Sequence, residues 1–222
     1  MGEGVITVVY YTSNREDEAF EAEIRRRLIV SVDDRWPIIS VSQKPIDLGK
    51  NICVGEMDAN DANAIRQIQI GVEAATTPFA IAAESDCLYP PDYFDWIPPE
   101  AESCYRYPNL WIMSKWYGVK FGSGFRYKFG AECAQIVGRD YWLRAISASM
   151  QGMPQWSAGN DVTPPLVFGA FRLWRGDFKR AVVNIKTTEG MRKWTHTVGR
   201  CLPEDRLPYW GSAEDLRKAL WG

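Results

Sequence analysis

The chain has 222 residues, of which 46% are hydrophobic and 24% charged, a composition typical of a globular protein and sufficient for a large α/β domain. It contains no run of eighteen apolar residues, and an acidic residue precedes the first strand-like segment, so we expect a cytoplasmic protein without a membrane span. The five cysteines lack the paired spacing of a zinc site or a disulfide framework, which favours reduced thiols.

Charge is distributed unevenly along the chain, although the net charge is only −2. Residues 1–100 contain 8 Lys and Arg against 18 Asp and Glu, whereas residues 101–200 contain 15 against 6. Such a split indicates either that the second half binds an anionic partner or that two surfaces of the molecule complement each other. The sequence alone leaves both interpretations open.

The first hundred residues alternate between strand-like and helix-like segments. In chain order, the pattern predicts a strand at 4–14, a helix at 15–30, a strand at 37–43, a loop at 44–55, a helix capped by Asp58 that runs to Ala75, and a strand at 79–83. This β-α-β-α-β order predicts a parallel sheet. Residues 10–15, 42–44 and 84–86 should then meet at its carboxyl edge, where such sheets bind ligands.

The second half is organised around a long polar loop. The predicted elements are a strand at 109–122, a helix at 139–150, the loop at 153–165, a helix at about 163–174, a strand at 179–186, and a final helix with Ser212 as N-cap and Asp215 at the capping-box position. The whole pattern predicts an α/β fold, in a single domain with a mostly parallel central sheet flanked by helices.

Two carboxylates, Glu84 and Asp86, directly follow the buried strand at 79–83. Carboxylate oxygens at this separation suit Mg²⁺ or Mn²⁺, which in turn bridge phosphates. An acidic loop that caps a helix or lies in water is the alternative.

The stretch "GVEAATTPFAIAAESDCLYPPDYFD" resembles the signature region of glycosyltransferases with the GT-A fold, especially family-2-type enzymes. In that family a helix ending in G-x-E-A-A leads to a strand, an acid-x-acid triplet and a proline-aromatic segment, and Gly71 to Phe94 follow this order. The resemblance implies a GT-A domain that binds a nucleotide-diphosphate sugar through Glu84, Ser85 and Asp86. Asp86, helped by Glu84, would hold the metal on the donor diphosphate, although Glu84 replaces the usual Asp.

The helix before this strand departs from the family pattern. Gln69 stands where Asn is common, and Ile68 stands where Arg is common, with Arg66 one turn back from Gln69. The resemblance makes Arg66 and Gln69 candidate nucleotide contacts.

A second match lies in "AGNDVTPPLVFGAFRLWRGDFKRAVVNIK", which resembles the family segment where Glu-Asp opens a helix. Asp161 takes the place of the catalytic base of inverting enzymes, while Asn160 replaces the Glu and is a candidate acceptor contact. A base at this place removes the proton of an acceptor hydroxyl as it attacks the anomeric carbon. Plain capping of a following helix is the alternative role for Asp161.

Other candidate contacts come from the ends of strands and from the C-terminal part. His196, the single histidine, resembles the further metal ligand of several GT-A enzymes, with an ordinary surface or core histidine as the alternative. Arg192 and Lys193 beside it would neutralise the leaving diphosphate. The remaining candidates are the nucleotide contacts Thr12, Arg15 and Gln43, and Trp156 as an acceptor platform. For Thr12 and Arg15, a turn with a helix cap is an equal alternative; for Trp156, core packing is.

Three functions remain open at this point. The first is transfer of a sugar to a hydroxyl acceptor, with residues 1–100 binding the donor and 101–222 the acceptor. The second is a nucleotidyltransferase, whose usual Gly-rich loop after strand one is missing from "YYTSNREDEAF", and the third is a non-catalytic binding module. Arg126, Lys128, Arg139 and Arg144 would suit a polyanionic acceptor such as the hydroxymethylated DNA that phage glycosyltransferases modify, with lipid-linked or polysaccharide acceptors as alternatives.

Overall fold

The computed structural model describes residues 4–116, 124–159, 162–164, 166–187 and 203–222. Five predicted site residues lie outside the described residues: Asn160, Asp161, Arg192, Lys193 and His196. The end of the predicted strand at 109–122 also lies outside them.

Helices and strands are assigned here within the described residues. The α-helices are α1 (Glu18–Val32), α2 (Asp61–Ala74), α3 (Arg139–Ser149) and α4 (Ala213–Trp221), and two short 3₁₀ helices span Pro91–Phe94 and Glu132–Ala134. The strands are β1 (Ile6–Thr12), β2 (Ile38–Ser42), β3 (Lys50–Cys53), β4 (Phe79–Glu84), β5 (Cys87–Leu88), β6 (Cys104–Arg106), β7 (Leu110–Ser114), β8 (Arg126–Tyr127), β9 (Gln135–Gly138), β10 (Arg172–Leu173), β11 (Val182–Lys186), β12 (Arg206–Leu207) and β13 (Gly211–Ser212). None of these helices combines the length and apolar character that a membrane span requires.

The central sheet has seven strands in the order β10-β6-β9-β4-β1-β2-β3. Strand β1 runs parallel to β2 and to β4, and β2 runs parallel to β3, whereas β9 is antiparallel to both of its neighbours. The predicted α/β fold, with a mostly parallel central sheet flanked by helices, is therefore confirmed.

Both faces of the sheet are covered, which explains why β1 is buried along its whole length. Successive side chains of a strand point to opposite faces. Val8 and Tyr10 accordingly pack in one core cluster with Leu28 of α1, whereas Val9 packs in a second cluster with Val72 of α2. The helices α1 and α2 thus lie on opposite faces.

Helix α2 approaches the sheet closely at Gly71. A Cβ atom at this position would lie 2.4 Å from Cγ1 of Val9 and 3.3 Å from Cγ2 of Val41. The N-cap of α2 is Asn60, whose side chain accepts a hydrogen bond from the backbone N–H of Asn63 at 2.9 Å. The predicted cap at Asp58 is therefore wrong by two residues, because Asn60 caps equally well and lies next to the first helical residue.

The segment 44–55 was predicted as a loop, but it contains β3. Strand β3 pairs in parallel with β2, and its Ile52 lies opposite Val41. Its four residues do not alternate between apolar and polar side chains, and Gly49 before them, with φ of +55°, gives a turn signal. The pairing with β2 is a tertiary contact that overrides this local signal.

The predicted helix at about 163–174 is not formed by the described residues of that segment. They contain only the short strand β10, which pairs in parallel with β6. Pro164 and Gly169 both disfavour a continuous helix, and the Phe168 side chain is buried in the core cluster of α2 and α3. The predicted cap of the last helix is confirmed, since Ser212 Oγ accepts from the backbone N–H of Asp215 at 3.1 Å.

A sharp turn at Ser85 and Asp86 carries the chain from β4 to β5, which belongs to a second sheet of order β5-β11-β7-β8. Strand β11 lies antiparallel to β5, and the backbone N–H of Ile185 donates to the Asp86 carbonyl at 2.7 Å. The turn therefore brings Asp86 beside a strand that lies about one hundred residues later in the chain.

Candidate functional site

A cleft of about 690 Å³ opens at the carboxyl ends of the parallel strands β1, β2 and β4. Its lining includes the predicted site residues Thr12, Gln43, Glu84, Ser85 and Asp86. The three segments expected to meet at this edge therefore do so. The start of α2, the segment 127–133 and the end of β11 complete the walls.

Asp86 is held by two side chains of β11. Asn184 Nδ2 donates to Asp86 Oδ1 at 2.9 Å, and Lys186 Nζ lies 3.5 Å from Asp86 Oδ2. About a quarter of each side chain of the Asp86–Lys186 ion pair is exposed. Asp86 therefore faces the cleft in a fixed orientation, with the ammonium group of Lys186 beside it.

Glu84 lies deeper, at the end of β4. The Tyr11 hydroxyl donates a short hydrogen bond to its Oε1, and Cys87 Sγ lies 3.8 Å from its Oε2. Burial raises the pKa of Glu84 well above its ordinary value, and the negative charges of Cys133 and Asp86 add to the effect, while Tyr11 and Lys186 oppose it. An ionised Glu84 is thus electrostatically unfavourable unless further positive charge is present.

Lys186 is a functional candidate that sequence reasoning missed. Burial alone would lower the pKa of its ammonium group, but the carboxylates of Asp86 and Glu84 outweigh burial and raise that pKa above its ordinary value. Lys186 therefore stays positively charged in the cleft. The signal available in the sequence was a lysine at the end of a mostly apolar strand, which also fits a surface residue.

Two buried thiols lie next to the carboxylates. Glu84, Cys87 and Cys133 offer ligand atoms that all lie within 4.8 Å of one another. A hydrogen bond from Cys87 lowers the pKa of the Cys133 thiol to about 7 against the opposing effect of burial, and burial raises the pKa of Cys87. No sequence pattern predicts this cluster, because Cys133 lies in a 3₁₀ helix 46 residues after Cys87.

Gln43 presents a free donor to the cleft. Its Oε1 accepts from the backbone N–H of Met57 at 3.2 Å, whereas its Nε2 is buried and has no hydrogen-bond partner among the described residues. Only 5% of Gln43 is exposed. A ligand acceptor that met Nε2 would relieve the cost of this buried unpaired group.

Thr12 lines the cleft, but its side chain serves the local turn. Its Oγ1 donates to Glu21 Oε1 at 3.0 Å and accepts from the backbone N–H of Asn14 at 2.9 Å. These bonds match the structural alternative for Thr12. Arg15 is more exposed and lies 3.8 Å from Asp58, a residue of the cleft wall.

Arg66 and Gln69 are not part of the cleft lining. Arg66 donates to Gln69 Oε1 at 2.8 Å and to the carbonyl of Met153 at 3.2 Å, and Gln69 Nε2 donates to Glu73 at 2.9 Å. These contacts tie α2 to the loop after α3. The predicted role of Arg66 and Gln69 in nucleotide binding gains no support from their positions.

The polar loop at 155–159 is fastened to the start of α2. Asn63 Nδ2 donates to the Ser157 carbonyl at 2.9 Å, and the Ser157 N–H donates to Asn63 Oδ1 at 2.8 Å. The Gly159 N–H donates to Asp58 Oδ2 at 2.8 Å. Trp156 is half-buried and does not line the cleft, whereas Thr163 does.

The predicted basic patch for a polyanion is not formed. Arg139 lies at the end of the sheet opposite the cleft, because its backbone N–H donates to the Pro78 carbonyl just before β4 begins. Arg144 on α3 pairs with Glu102. Lys128 lines the cleft, but Arg139 and Arg144 belong to another surface, so a nucleic-acid acceptor is not supported.

Solved structures similar to this chain include glycosyltransferases. The catalytic domain of Drosophila β1,4-galactosyltransferase 7 with xylobiose is 15% identical, with 70% of this chain and 56% of that chain covered and a TM-score of 0.38. A glycosyltransferase involved in the glycosylation of the major capsid of PBCV-1 is 8% identical, with 67% and 68% covered and a TM-score of 0.41. The bifunctional IspDF from Campylobacter jejuni is 11% identical, with 68% and 45% covered and a TM-score of 0.41.

No protein-family model and no curated protein matches the sequence. The chain spans about half the length of the Drosophila and Campylobacter structures that it matches. A mutant of the Drosophila enzyme contains manganese, UDP-Gal and xylobiose. Glycosyltransferases are thus among the structures this chain resembles, but likenesses this distant do not decide its activity, which has to be argued from its own residues.

Proposed function

We propose that this protein is a metal-dependent glycosyltransferase that moves a sugar from a nucleotide-diphosphate sugar to a hydroxyl acceptor. The observation that carries the proposal is the pair of carboxylates, Glu84 and Asp86, at the edge of the sheet where β1, β2 and β4 end. Parallel sheets bind nucleotides at this edge. The resemblance of residues 71–94 to GT-A enzymes assigns the same carboxylates to the donor diphosphate.

The residues at this edge fit a divalent cation. Two carboxylates in a partly buried position repel each other, and the raised pKa of Glu84 reflects this repulsion in part. Oxygen ligands of this type suit Mg²⁺ or Mn²⁺, and a bound cation would stabilise the charge that develops on the leaving diphosphate. His196 is the proposed further ligand. The Drosophila structure holds manganese with its nucleotide sugar, but the proposal rests on the residues of this chain.

Lys186 would act with the cation on the diphosphate. Its ammonium group is fixed 3.5 Å from Asp86 and faces the same cleft, so it would be placed to contact a diphosphate bound there. A preorganised cation of this kind stabilises the transition state more than the ground state, because negative charge grows on the leaving group. Arg192 and Lys193 remain proposed partners in this role.

The nucleobase of the sugar donor would lie toward the ends of β1 and β2. Gln43 Nε2 is the buried unpaired donor there, and it suits a carbonyl acceptor on the base edge. Ser85 and Arg15 remain proposed contacts of the nucleotide sugar. Thr12 would contribute only its backbone and the shape of the turn, because its side chain is bonded to Glu21. Arg66 and Gln69 are not retained as proposed contacts of the nucleotide.

Asp161 is the proposed catalytic base, which implies inversion at the anomeric carbon. The described residues on each side support this assignment: Gly159 is bonded to Asp58 in the cleft wall, and Thr163 lines the cleft. Asn160 and Trp156 remain proposed acceptor contacts. In this account residues 1–100 bind most of the donor, and residues 101–222 supply Lys186 and the acceptor site.

A thermal-shift screen of nucleoside diphosphates, with and without Mn²⁺, tests the proposal. Saturation to about 100 times Kd should stabilise the protein by about 2.7 kcal/mol, or roughly 5–10 °C for a chain of this size. The shift should need Mn²⁺, should disappear in Asp86→Asn, and should persist in Asp47→Asn, a matched change at an exposed acid.

Sugar transfer itself is measured by the products released from the nucleotide-sugar donor. We expect release of the nucleoside diphosphate from one sugar nucleotide, and we expect Asp161→Asn to abolish this release while donor binding persists. Transfer of a nucleotidyl group with release of pyrophosphate would instead identify a nucleotidyltransferase. Donor binding without turnover on any hydroxyl acceptor would identify a binding module.

A further inference from the structure

We propose that Cys87, Cys133 and Glu84 form a second metal site, which binds one thiophilic divalent cation of the zinc class. The three side chains come from β5, a 3₁₀ helix and β4, and their ligand atoms all lie within 4.8 Å of one another. Both cysteines are buried, with 1% and 4% of their surface exposed. The cluster lies beside the Asp86 carboxylate and shares Glu84 with the proposed site of the donor metal.

The distances from Cys87 Sγ to the two carboxylates suit tetrahedral coordination. With Zn–S bonds of about 2.3 Å and Zn–O bonds of about 2.0–2.2 Å, neighbouring ligand atoms lie roughly 3.4–3.8 Å apart. Cys87 Sγ is 3.8 Å from Glu84 Oε2 and 3.3 Å from Asp86 Oδ1. Two sulfurs and one carboxylate oxygen supply three ligands, and Asp86 or a water molecule supplies the fourth.

Asn184 provides an independent indication of a ligand at this place. Its Nδ2 donates to Cys87 Sγ at 3.2 Å and to Asp86 Oδ1 at 2.9 Å, so its amide group lies within the cluster. Its Oδ1 is buried and unpaired among the described residues, and only 1% of Asn184 is exposed. A hydrogen bond donated to the sulfur is what orients and stabilises a metal-bound thiolate, and a water on the metal would satisfy the unpaired Asn184 oxygen.

The ligand atoms of the three side chains determine which cation binds, and the cleft gives that cation access to them. Thiolate sulfur favours zinc-class ions strongly over Mg²⁺ and Mn²⁺, which prefer oxygen. Cys133 lines the cleft, so an ion reaches the sulfurs without opening the core.

Because Glu84 is shared, the two cations cannot both bind at full strength. Zn²⁺ should therefore inhibit transfer competitively with Mn²⁺, a consequence that rests on the proposed function. Binding of Zn²⁺ itself does not rest on it.

The test is a titration of the reduced full-length protein with Zn²⁺ against a chromophoric chelator, without nucleotide, followed by Co²⁺ as a spectroscopic probe. We expect one tight equivalent and a near-ultraviolet thiolate-to-cobalt charge-transfer band. Cys133→Ser should weaken Zn²⁺ binding by about 100-fold or more and remove the band. Cys53→Ser, which alters an exposed thiol outside the cluster, should change neither.

X-ray absorption of the zinc-loaded protein needs no variant and should show two sulfur ligands near 2.3 Å. A zinc shell without sulfur, or a titration unchanged by Cys133→Ser, overturns the proposal. If zinc binds through two sulfurs but no nucleoside diphosphate binds with Mn²⁺, the proposed function fails and this site stands. If zinc does not bind through two sulfurs but a nucleoside diphosphate binds with Mn²⁺, only this metal site is rejected.

Discussion

At the level of single residues, the balance of charge around Asp86 determines what the cleft can bind. Asp86 has an amide on one carboxylate oxygen and the Lys186 ammonium on the other. Lys186 offsets the charge of Asp86, and the raised pKa of Glu84 means that a second negative charge there is stabilised only when a cation binds. The arrangement is suited to a ligand that brings its own divalent metal and carries negative oxygens.

Replacement of Lys186 tests this balance. We expect Lys186→Met to lower kcat by about 10²–10³-fold, because one preorganised cation no longer stabilises the leaving diphosphate. Mn²⁺ affinity should not fall, since both carboxylates remain. The measurement is steady-state release of the nucleoside diphosphate. Lys179→Met is the control, because Lys179 is 78% exposed in an ion pair with Asp177; equal kcat values for both variants would remove Lys186 from the mechanism.

At the level of elements, α2 places the wall of the cleft, and its position depends on Gly71. Any side chain there would meet Val9 of β1 at 2.4 Å. We expect Gly71→Ala to lower the free energy of unfolding by about 1–3 kcal/mol through overpacking. Urea denaturation measures the change. Gly169→Ala is the matched control, because a Cβ there meets nothing within 4 Å; similar losses for both variants would contradict the packing argument.

Helix α1 carries a charge cluster with a predictable response to acid. Hydrogen bonding to Arg26 lowers the pKa of Glu23 to about 2; partial burial opposes the shift, and Arg27 adds to it. A lowered carboxyl pKa stabilises the fold above the ordinary value of 4.5. That contribution is lost as the pH falls from about 4.5 to about 2.

Glu23→Gln should therefore reduce stability at pH 6 by about 1 kcal/mol and flatten its dependence on pH below 4.5. Urea unfolding at pH 6 and pH 3 gives both values. Glu56→Gln removes a 76% exposed acid paired with Lys44 and should have little effect. A loss for Glu23→Gln that is the same at both pH values would show that packing, not charge, is responsible.

The elements also show what sequence can predict here. Local patterns predict strands β1, β2 and β4 and the acids at the end of β4, because each buried run ends in its own turn signal. Lys186 and Cys133 join the site through β11 and a 3₁₀ helix, whose pairing with distant segments leaves no local mark. The same reason explains why β3 was read as a loop, and β10 as part of a helix.

At the level of the whole molecule, only part of the basic charge of the second half lies at the cleft among the described residues. Arg139 and Arg144 of α3 are committed to partners away from the cleft, such as Asp140 and Glu102. The basic residue that matters for the site, Lys186, instead pairs with the acidic first half. Ion pairs that join the two halves, such as Arg180–Asp92 and Lys186–Asp86, agree with complementary surfaces, the second interpretation of the charge pattern.

The proposed role of Asp86 and Glu84 is to hold a divalent cation that carries the donor diphosphate. Anomalous scattering at the manganese edge, from crystals soaked with Mn²⁺ and a nucleoside diphosphate, locates that cation directly. We expect one manganese peak at the Asp86 carboxylate, bridged to phosphate oxygens that also contact Lys186. A diphosphate bound in the cleft by Lys186 with no manganese at Asp86, or a peak elsewhere in the molecule, would contradict it.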